Sequence, residues 1–185
     1  MQQKETVMAE RTKLWIAEKM KNLMKKKSLD KIRITEICKE AEIERSTFYY
    51  HFRDKYELVA WIYASGAEKS MGGQDGFMGV DESAAALNLV RRNRVFYKKA
   101  FADSSQNALW QYIQEYNVEM YSNMLKRHYG LSELSEEVLF SLQYHCHGCL
   151  GLTYDWVMSD FPISAEELAR RMTMVMPDVL KNVVS

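Results

Sequence analysis

Neither proline nor glycine occurs in the first 65 residues of this 185-residue chain, and only two prolines occur anywhere in it. Proline removes a backbone donor and clashes with the preceding turn, and glycine loses the most conformational freedom on folding, so both interrupt helices. A run this long without either is open to continuous helix. Its apolar residues agree: Ile16, Met20, Leu23 and Met24 recur at helical spacing in a segment predicted over 5–26. Trp15 shares or edges that face, and Lys25-Lys26-Lys27 closes the helix at the end where its dipole favours cations. Residues 28–33 form a connector in which Leu29 and Ile32 pack inward.

The stretch 34–55, ITEICKEAEIERSTFYYHFRDK, reads as two short helices joined by a tight turn. Thr35 can cap the first, its hydroxyl accepting an orphan amide, and Ile37, Cys38 and Ala41 supply an apolar stripe. Glu42-Ile43-Glu44 interrupts the stripe, with Ile43 as the apolar plug of the turn. Ser46 or Thr47 opens the second helix, in which Phe48 and Phe52 face inward. Left outside are Arg45, Ser46, Thr47, Tyr49, Tyr50 and His51, all able to donate hydrogen bonds and none acidic. A helix presented to phosphates and base edges needs such a face.

The string Ile43-x-x-Ser46-Thr47-Phe48-Tyr49-x-His51-Phe52-x-x-Lys55 resembles the recognition-helix signature of TetR-type transcriptional regulators. The match runs back through Thr35-Glu36-Ile37 and covers roughly the first 65 residues. The resemblance implies that Thr47, Tyr49, His51 and Lys55, with Thr35, hold phosphates of a double-stranded DNA operator. Arg45, Ser46 and Tyr50 are the candidates for base edges. Arg45 can pair bidentately with guanine O6 and N7, for about 1–3 kcal/mol of discrimination, and Lys55 near a helix N-terminus adds a cation where amides already favour phosphate. The family carries glycine in the turn, where this chain has Glu42. If that position is left-handed, a non-glycine residue costs about 1 kcal/mol there, and the carboxylate weakens the local attraction to phosphate.

The formal net charge is zero, but its distribution is uneven. Residues 1–55 hold 14 Lys and Arg against 9 Asp and Glu, and the remainder holds 11 against 16. A basic N-terminal part on an acidic remainder suits a DNA-binding head on a body that the duplex repels. Hydrophobic residues, 47% of the chain, suffice for a packed core. Three cysteines make no disulfide framework, no apolar signal segment follows the polar N-terminus, and no stretch approaches the roughly 20 apolar residues of a membrane span. A cytoplasmic protein without membrane contact is expected.

Asp54, with Glu57 three residues on, has the capping-box pattern for a helix to about Ser70 with Leu58, Trp61 and Ile62 inward. Five of the eight glycines then fall between Gly66 and Gly79, predicting a mobile loop. Further helices are predicted over 82–93, 93–103, 107–129 with Gly130 as cap, 135–158, and 165–184 after Ser164. Pro177 should kink or shorten the last of these. No strand is indicated. The predicted fold is all-α with about nine helices: a helix-turn-helix DNA-binding domain of three helices over 1–53, and a helical effector-binding and dimerisation domain over 54–185.

By resemblance, the body encloses a pocket for a small-molecule effector. Phe96, Phe101, Trp110, Tyr116 and Tyr144 are candidate walls, although the same residues would serve equally as core. His145-Cys146-His147-x-Cys149 places four potential ligands in five residues, but a helix spreads them around its axis. No metal and no cofactor is expected, and the run belongs to core or interface. Gly148 and Gly151 permit close helix approach, and the resemblance assigns them, with Trp156 and Leu168, to a four-helix interface between two subunits. This arrangement and Asn93-x-x-Phe96-Tyr97 resemble the branch containing dihydroxyacetone-kinase operon regulators, which admits activation as well as repression. Without a phosphate loop, nucleophile motif or paired metal ligands, no enzyme is expected. The expected protein is a homodimeric repressor on a near-palindromic operator, controlled by an effector. The alternatives are an activator of that branch, or an effector- or protein-binding module that has lost specific DNA binding, for which Glu42 and Glu44 are the motivating residues.

Overall fold

The computed structural model describes residues 2–70, 79–103 and 106–181. Among them are ten helices and no strand: α1 (Gln2–Lys26), α2 (Ile34–Ala41), α3 (Arg45–His51), α4 (Lys55–Ser70), α5 (Val80–Arg92), α6 (Arg94–Phe101), α7 (Gln106–Tyr129), α8 (Glu136–Met158), α9 (Ala165–Met174) and α10 (Asp178–Lys181). The mobile loop expected between Gly66 and Gly79 falls mainly on 71–78, outside the described residues, and Gly66 itself is helical. A Cβ on Gly66 would lie 2.7 Å from Leu89 Cδ2, so glycine there lets α5 close onto α4. No helix among the described residues is long and apolar enough to cross a membrane.

The helix ends follow local chemistry. Ser135 accepts from the Val138 amide at 3.3 Å to open α8, and Ser164 accepts from Glu167 at 3.1 Å to open α9. Gly130 takes φ 63° after α7, and the next amide, of Leu131, reaches back to Lys126 O at 2.8 Å. Ten helices replace the expected nine because Pro177 does more than bend the last one. α9 stops at Met174 and α10 starts at Asp178, since proline can neither donate to the ladder nor tolerate the preceding turn.

Two predicted caps move. Thr35 lies inside the first turn of α2, and Arg33 is the capping residue, its amide held by Glu36 Oε2 at 3.0 Å. The three-residue reach of a glutamate back to the cap fixes the start two positions earlier than a hydroxyl on Thr35 would. α3 likewise begins at Arg45, after Glu44, rather than at Ser46 or Thr47.

Glu42 ends α2 in the left-handed region, φ 53° and ψ 44°, where its amide reaches Cys38 O and Lys39 O. A Cβ crowds the carbonyl in this conformation. Glu42→Gly is therefore expected to stabilise the protein by about 1 kcal/mol and to tighten DNA binding by removing an exposed carboxylate beside α3. Urea melts of the two proteins test this; a lower midpoint for the glycine variant would show that the turn carries no such strain.

One buried cluster runs through the molecule. It includes Ile16, Met20 and Met24 of α1, Phe48 of α3 and Phe52 after it, Leu58 and Trp61 of α4, Phe101 of α6, Ile113 of α7, Leu150 and Trp156 of α8, and Leu168 of α9. α4 lies along α7, and α5 along α9. A smaller cluster joins Leu125, Leu142, Cys146, Met176 and Leu180.

Candidate nucleic-acid interface

Phe48 and Phe52 anchor α3 from beneath. They are 0% and 1% exposed, their rings lie 5.9 Å apart, and Phe52 meets Trp61 of α4 at 5.8 Å. The four-residue spacing that buries these rings turns the other side chains outward. Arg45, Ser46, Tyr49 and Tyr50 are exposed, Tyr50 at 81%, while Thr47 and His51 are half-buried. Arg45 Nη2 donates to the Tyr49 hydroxyl at 3.4 Å, with its guanidinium 5.8 Å from the ring. Burial, then the charge of Lys13, hold the His51 pKa below the ordinary imidazole value. At pH 7 its ring is neutral and offers an N–H without net charge. Thr35 is exposed in α2. The predicted α3 side chains are thus turned outward in whole or in part, whereas one predicted residue is engaged within the protein.

The exception is Lys55, expected to hold a phosphate. Its Nζ donates to Leu29 O at 2.7 Å and to Asp30 O and Ile32 O at 2.9 Å, which uses all three ammonium hydrogens. Burial holds its pKa below the ordinary lysine value, against Asp103, Asp30 and Asp54. Lys55 ties the start of α4 to the connector after α1. Lys55→Met should take a charged donor from three carbonyls, of which Leu29 O keeps the Ile32 amide at 3.1 Å, at a cost of about 1–3 kcal/mol, while changing the salt slope of DNA binding by clearly less than the ~1 per phosphate contact. A slope change of about one per head with an unaltered melting temperature would return Lys55 to the phosphate.

Beneath α3 the chain is braced from the body. Asp54 Oδ1 accepts from the amides of Tyr56 and Glu57 at 2.8 and 2.9 Å, capping α4. The return contact of Glu57 goes to the Arg53 amide, one residue before the cap. Tyr112 of α7 donates its hydroxyl to Asp54 Oδ2 at 2.9 Å, and the Arg53 guanidinium lies 4.8 Å from the Tyr112 ring. Burial, then the hydrogen bond to Asp54, raise the Tyr112 pKa. Sequence reasoning missed Tyr112, because nothing local marks a partner 58 positions away.

The five expected pocket walls do not line one cavity, although Phe101 and Trp110 meet at 6.4 Å. Phe96 and Phe101 are core residues, 5% and 2% exposed, meeting Tyr97 and Tyr154 at 5.1 and 5.6 Å. Trp110 packs half-buried against Tyr154. Tyr116 lines an outer groove with Trp61 and Arg127, its pKa pushed up to about 12 by burial and then Glu57. Tyr144 is exposed. A more enclosed cavity of about 70 Å³ lies between α4, α5, α7, α8 and α9, lined by Tyr63, Asn117, Tyr121, His145, Cys149 and Thr153 among others. Its one legible signal was polar residues at inward positions, such as Asn117 on the stripe of Leu109 and Ile113.

Trp156 and Leu168, expected between subunits, belong instead to the core of the protomer, 3% and 5% exposed. The Trp156 indole donates to Ile163 O at 2.9 Å and meets Phe161 edge-on at 4.7 Å, closing the connector to α9. Gly148 and Gly151 do lie open on α8, where Phe140, Tyr144, Leu152 and Met158 are exposed along one side. In the His–Cys run, Cys149 Sγ lies 3.4 Å from His145 Nε2, and His147 contacts Gln143 O and Gln114 instead. Among the described residues no group of three or more His, Cys, Asp or Glu could hold a metal.

A short donor-faced helix locked onto a supporting helix defines a helix-turn-helix protein. Residues 18–62 match the family described as "Bacterial regulatory proteins, tetR family", and residues 83–178, just over half the chain, match "Transcriptional regulator C-terminal region". The chain belongs to the TetR family of DNA-binding transcriptional regulators. It is 30% identical over 87 residues to the HTH-type dhaKLM operon transcriptional activator DhaS of Lactococcus lactis subsp. lactis (strain IL1403). That match spans about half the length of the relative, 46% of each chain. Among solved structures, the dihydroxyacetone kinase operon activator DhaS is 21% identical over 92% of this chain and 97% of that one, TM-score 0.56. A TetR transcriptional regulator from Rhodococcus sp. RHA1 is 16% identical over 93% and 98%, TM-score 0.62. The TetR family repressor AlkX from Dietzia sp. strain DQ12-45-1b, implicated in biodegradation of n-alkanes, is 13% identical over 92% and 98%, TM-score 0.57. At these identities the likeness to the solved structures is one of fold.

Proposed function

We propose that the protein is a cytoplasmic homodimeric repressor that reads a near-palindromic operator through α3, with residues 1–53 as the reading head. Residues 54–185 bind a small-molecule effector and hold the dimer, and no reaction is catalysed. The observation that carries this reading is the outer face of α3, where Arg45, Ser46, Tyr49 and Tyr50 stand exposed above a buried Phe48–Phe52 anchor. The exposed apolar line of Phe140, Tyr144, Leu152 and Met158 on α8, broken by two open glycines, supports pairing of two copies there. A second reading, activation, is favoured by the activator role of the Lactococcus relative.

An effector acts by binding one spacing of the two heads better than the other. α4 and α7 can carry that bias, because both meet at Asp54 and Tyr112 under α3. Selection of duplexes from a random library, followed by anisotropy and sedimentation, tests the assignment. The expected result is a two-fold-related site bound by one dimer, with half-sites about one helical turn apart or a simple multiple, and affinity that falls as salt rises. Tyr49→Phe should weaken binding to all sequences alike. Recovery of no enriched sequence by a clean dimer would leave the effector-binding module as the better account.

A further inference from the structure

The cavity between α4, α5, α7, α8 and α9 differs from the surface grooves in the chemistry of its walls. No lysine, arginine, aspartate or glutamate is among its described lining residues. Polar groups nonetheless converge on it from several helices. Asn117, His145 and Thr153 are 8%, 5% and 2% exposed, and Thr153 and Asn117 lie near enough to the Tyr63 hydroxyl to act on its ionisation. Thr173 Oγ1, also in the lining, is buried and has no hydrogen-bond partner among the described residues. A buried donor without a partner is uncommon in folded proteins and marks a place for a ligand or ordered water. Burial lowers the His145 pKa and pushes that of Cys149 up to about 12. Imidazole and thiol are therefore both neutral at pH 7.

A charged ligand entering such walls would lose its hydration and find no counter-charge. An apolar one would strand the hydroxyls and amide now in place. The volume of about 70 Å³ is roughly five times what one water requires, which admits about four to seven non-hydrogen atoms. We propose that this cavity takes a small, uncharged, oxygenated molecule, such as a short polyol, ketone or amide, as the ligand that controls the protein. Tyr63 and Thr153 stand on α4 and α8 and Asn117 on α7, so one ligand bridges three helices, two of which meet at the Asp54–Tyr112 bond below α3. The inference rests on the reading of the chain as an effector-controlled regulator and adds the chemical class of the effector.

Isothermal titration of the full chain with matched probes tests it: 1,2-propanediol, hydroxyacetone and propionamide as neutral probes, lactate and 1-amino-2-propanol as charged analogues of the same size. At least one neutral probe should bind saturably, one per chain, and at least tenfold tighter than either charged analogue. Tyr63→Phe and Thr153→Val, both near-isosteric, should each weaken that binding at least tenfold, with thermal melts confirming that they fold. Asn123→Ala, on the exposed side of α7, should leave it unchanged. Charged analogues binding as tightly as neutral ones, binding that survives both cavity variants, or no saturable binding by any neutral probe would each overturn the proposal. Operator binding is measured separately. A chain that binds its operator but no neutral probe loses this ligand class and keeps the regulator reading, and one that binds a probe but no DNA does the reverse.

Discussion

Arg45→Ala is expected to weaken operator binding by about 2–6 kcal/mol in a dimer, two half-sites at roughly 1–3 kcal/mol each, or some 30-fold to 10⁴-fold. Binding to random-sequence duplex should change by far less. Arg45 is the one guanidinium on the outer face of α3, at the first residue of the helix, where helix-turn-helix proteins approach base edges. In the free chain its Nη2 rests on the Tyr49 hydroxyl at 3.4 Å, a weak contact that a guanine edge can replace at little cost. The planar fork of two donors matches guanine O6 and N7, and lysine cannot reproduce it. Arg45→Lys should thus recover non-specific affinity but not discrimination. Competition anisotropy with the selected operator and a scrambled duplex checks this. Equal fractional losses on both duplexes would mean that Arg45 holds a phosphate, and base reading would then pass to Ser46 and Tyr50.

Phe48→Ala is expected to destabilise the protein by about 3–5 kcal/mol, which in a chain of this size lowers the melting temperature by roughly 6–20 °C. Phe48 is fully buried and meets Tyr49 at 5.6 Å and Phe52 at 5.9 Å. From Phe52 the contact passes to Trp61, so the truncation opens a void under the reading helix and loosens its seat on α4. DNA binding should fall even well below the melt, because α3 loses its fixed orientation. Tyr50→Ala is the matched contrast: at 81% exposure it should shift stability by no more than about 0.5 kcal/mol and act on DNA alone. Calorimetry of the two variants separates them. A shift of under about 2 °C for Phe48→Ala would contradict the anchoring role.

What the sequence disclosed was local. Phe48 and Phe52 could be placed inward because their spacing is set by the helix alone. The caps at Asp54, Gly130, Ser135 and Ser164 follow from the same short-range chemistry, as does the left-handed conformation of Glu42. The caps of α2 and α3 also lay in short-range chemistry, yet fall at Arg33 and Glu44 rather than at Thr35 and at Ser46 or Thr47; the other departures are non-local. Lys55 answers to carbonyls 23 to 26 positions away, and only the folded connector puts them within its reach. Trp156 could be seen as apolar and helical, but not that it seals its own connector at Ile163. Phe96 and Phe101 had the right character for pocket walls, yet the polar lining came from Asn117, His145 and Thr153. A single sequence shows which residues face inward; which of them converge depends on how several helices cross.

The unbroken interior that runs from Ile16 to Leu168 bears on anyone who would recombine this protein with a relative. A head exchanged at residue 53 would carry Phe52 away from Trp61 and Arg53 away from Tyr112. Such a chimera would join two half-cores that were never fitted to each other. A workable splice must transplant α4 and the facing side of α7 together with α3, so the exchangeable unit is larger than the proposed reading head of residues 1–53. On the proposed reading, in which the outer face of α3 meets the bases, reprogramming the recognised sequence is therefore better done by substitutions there than by swapping heads.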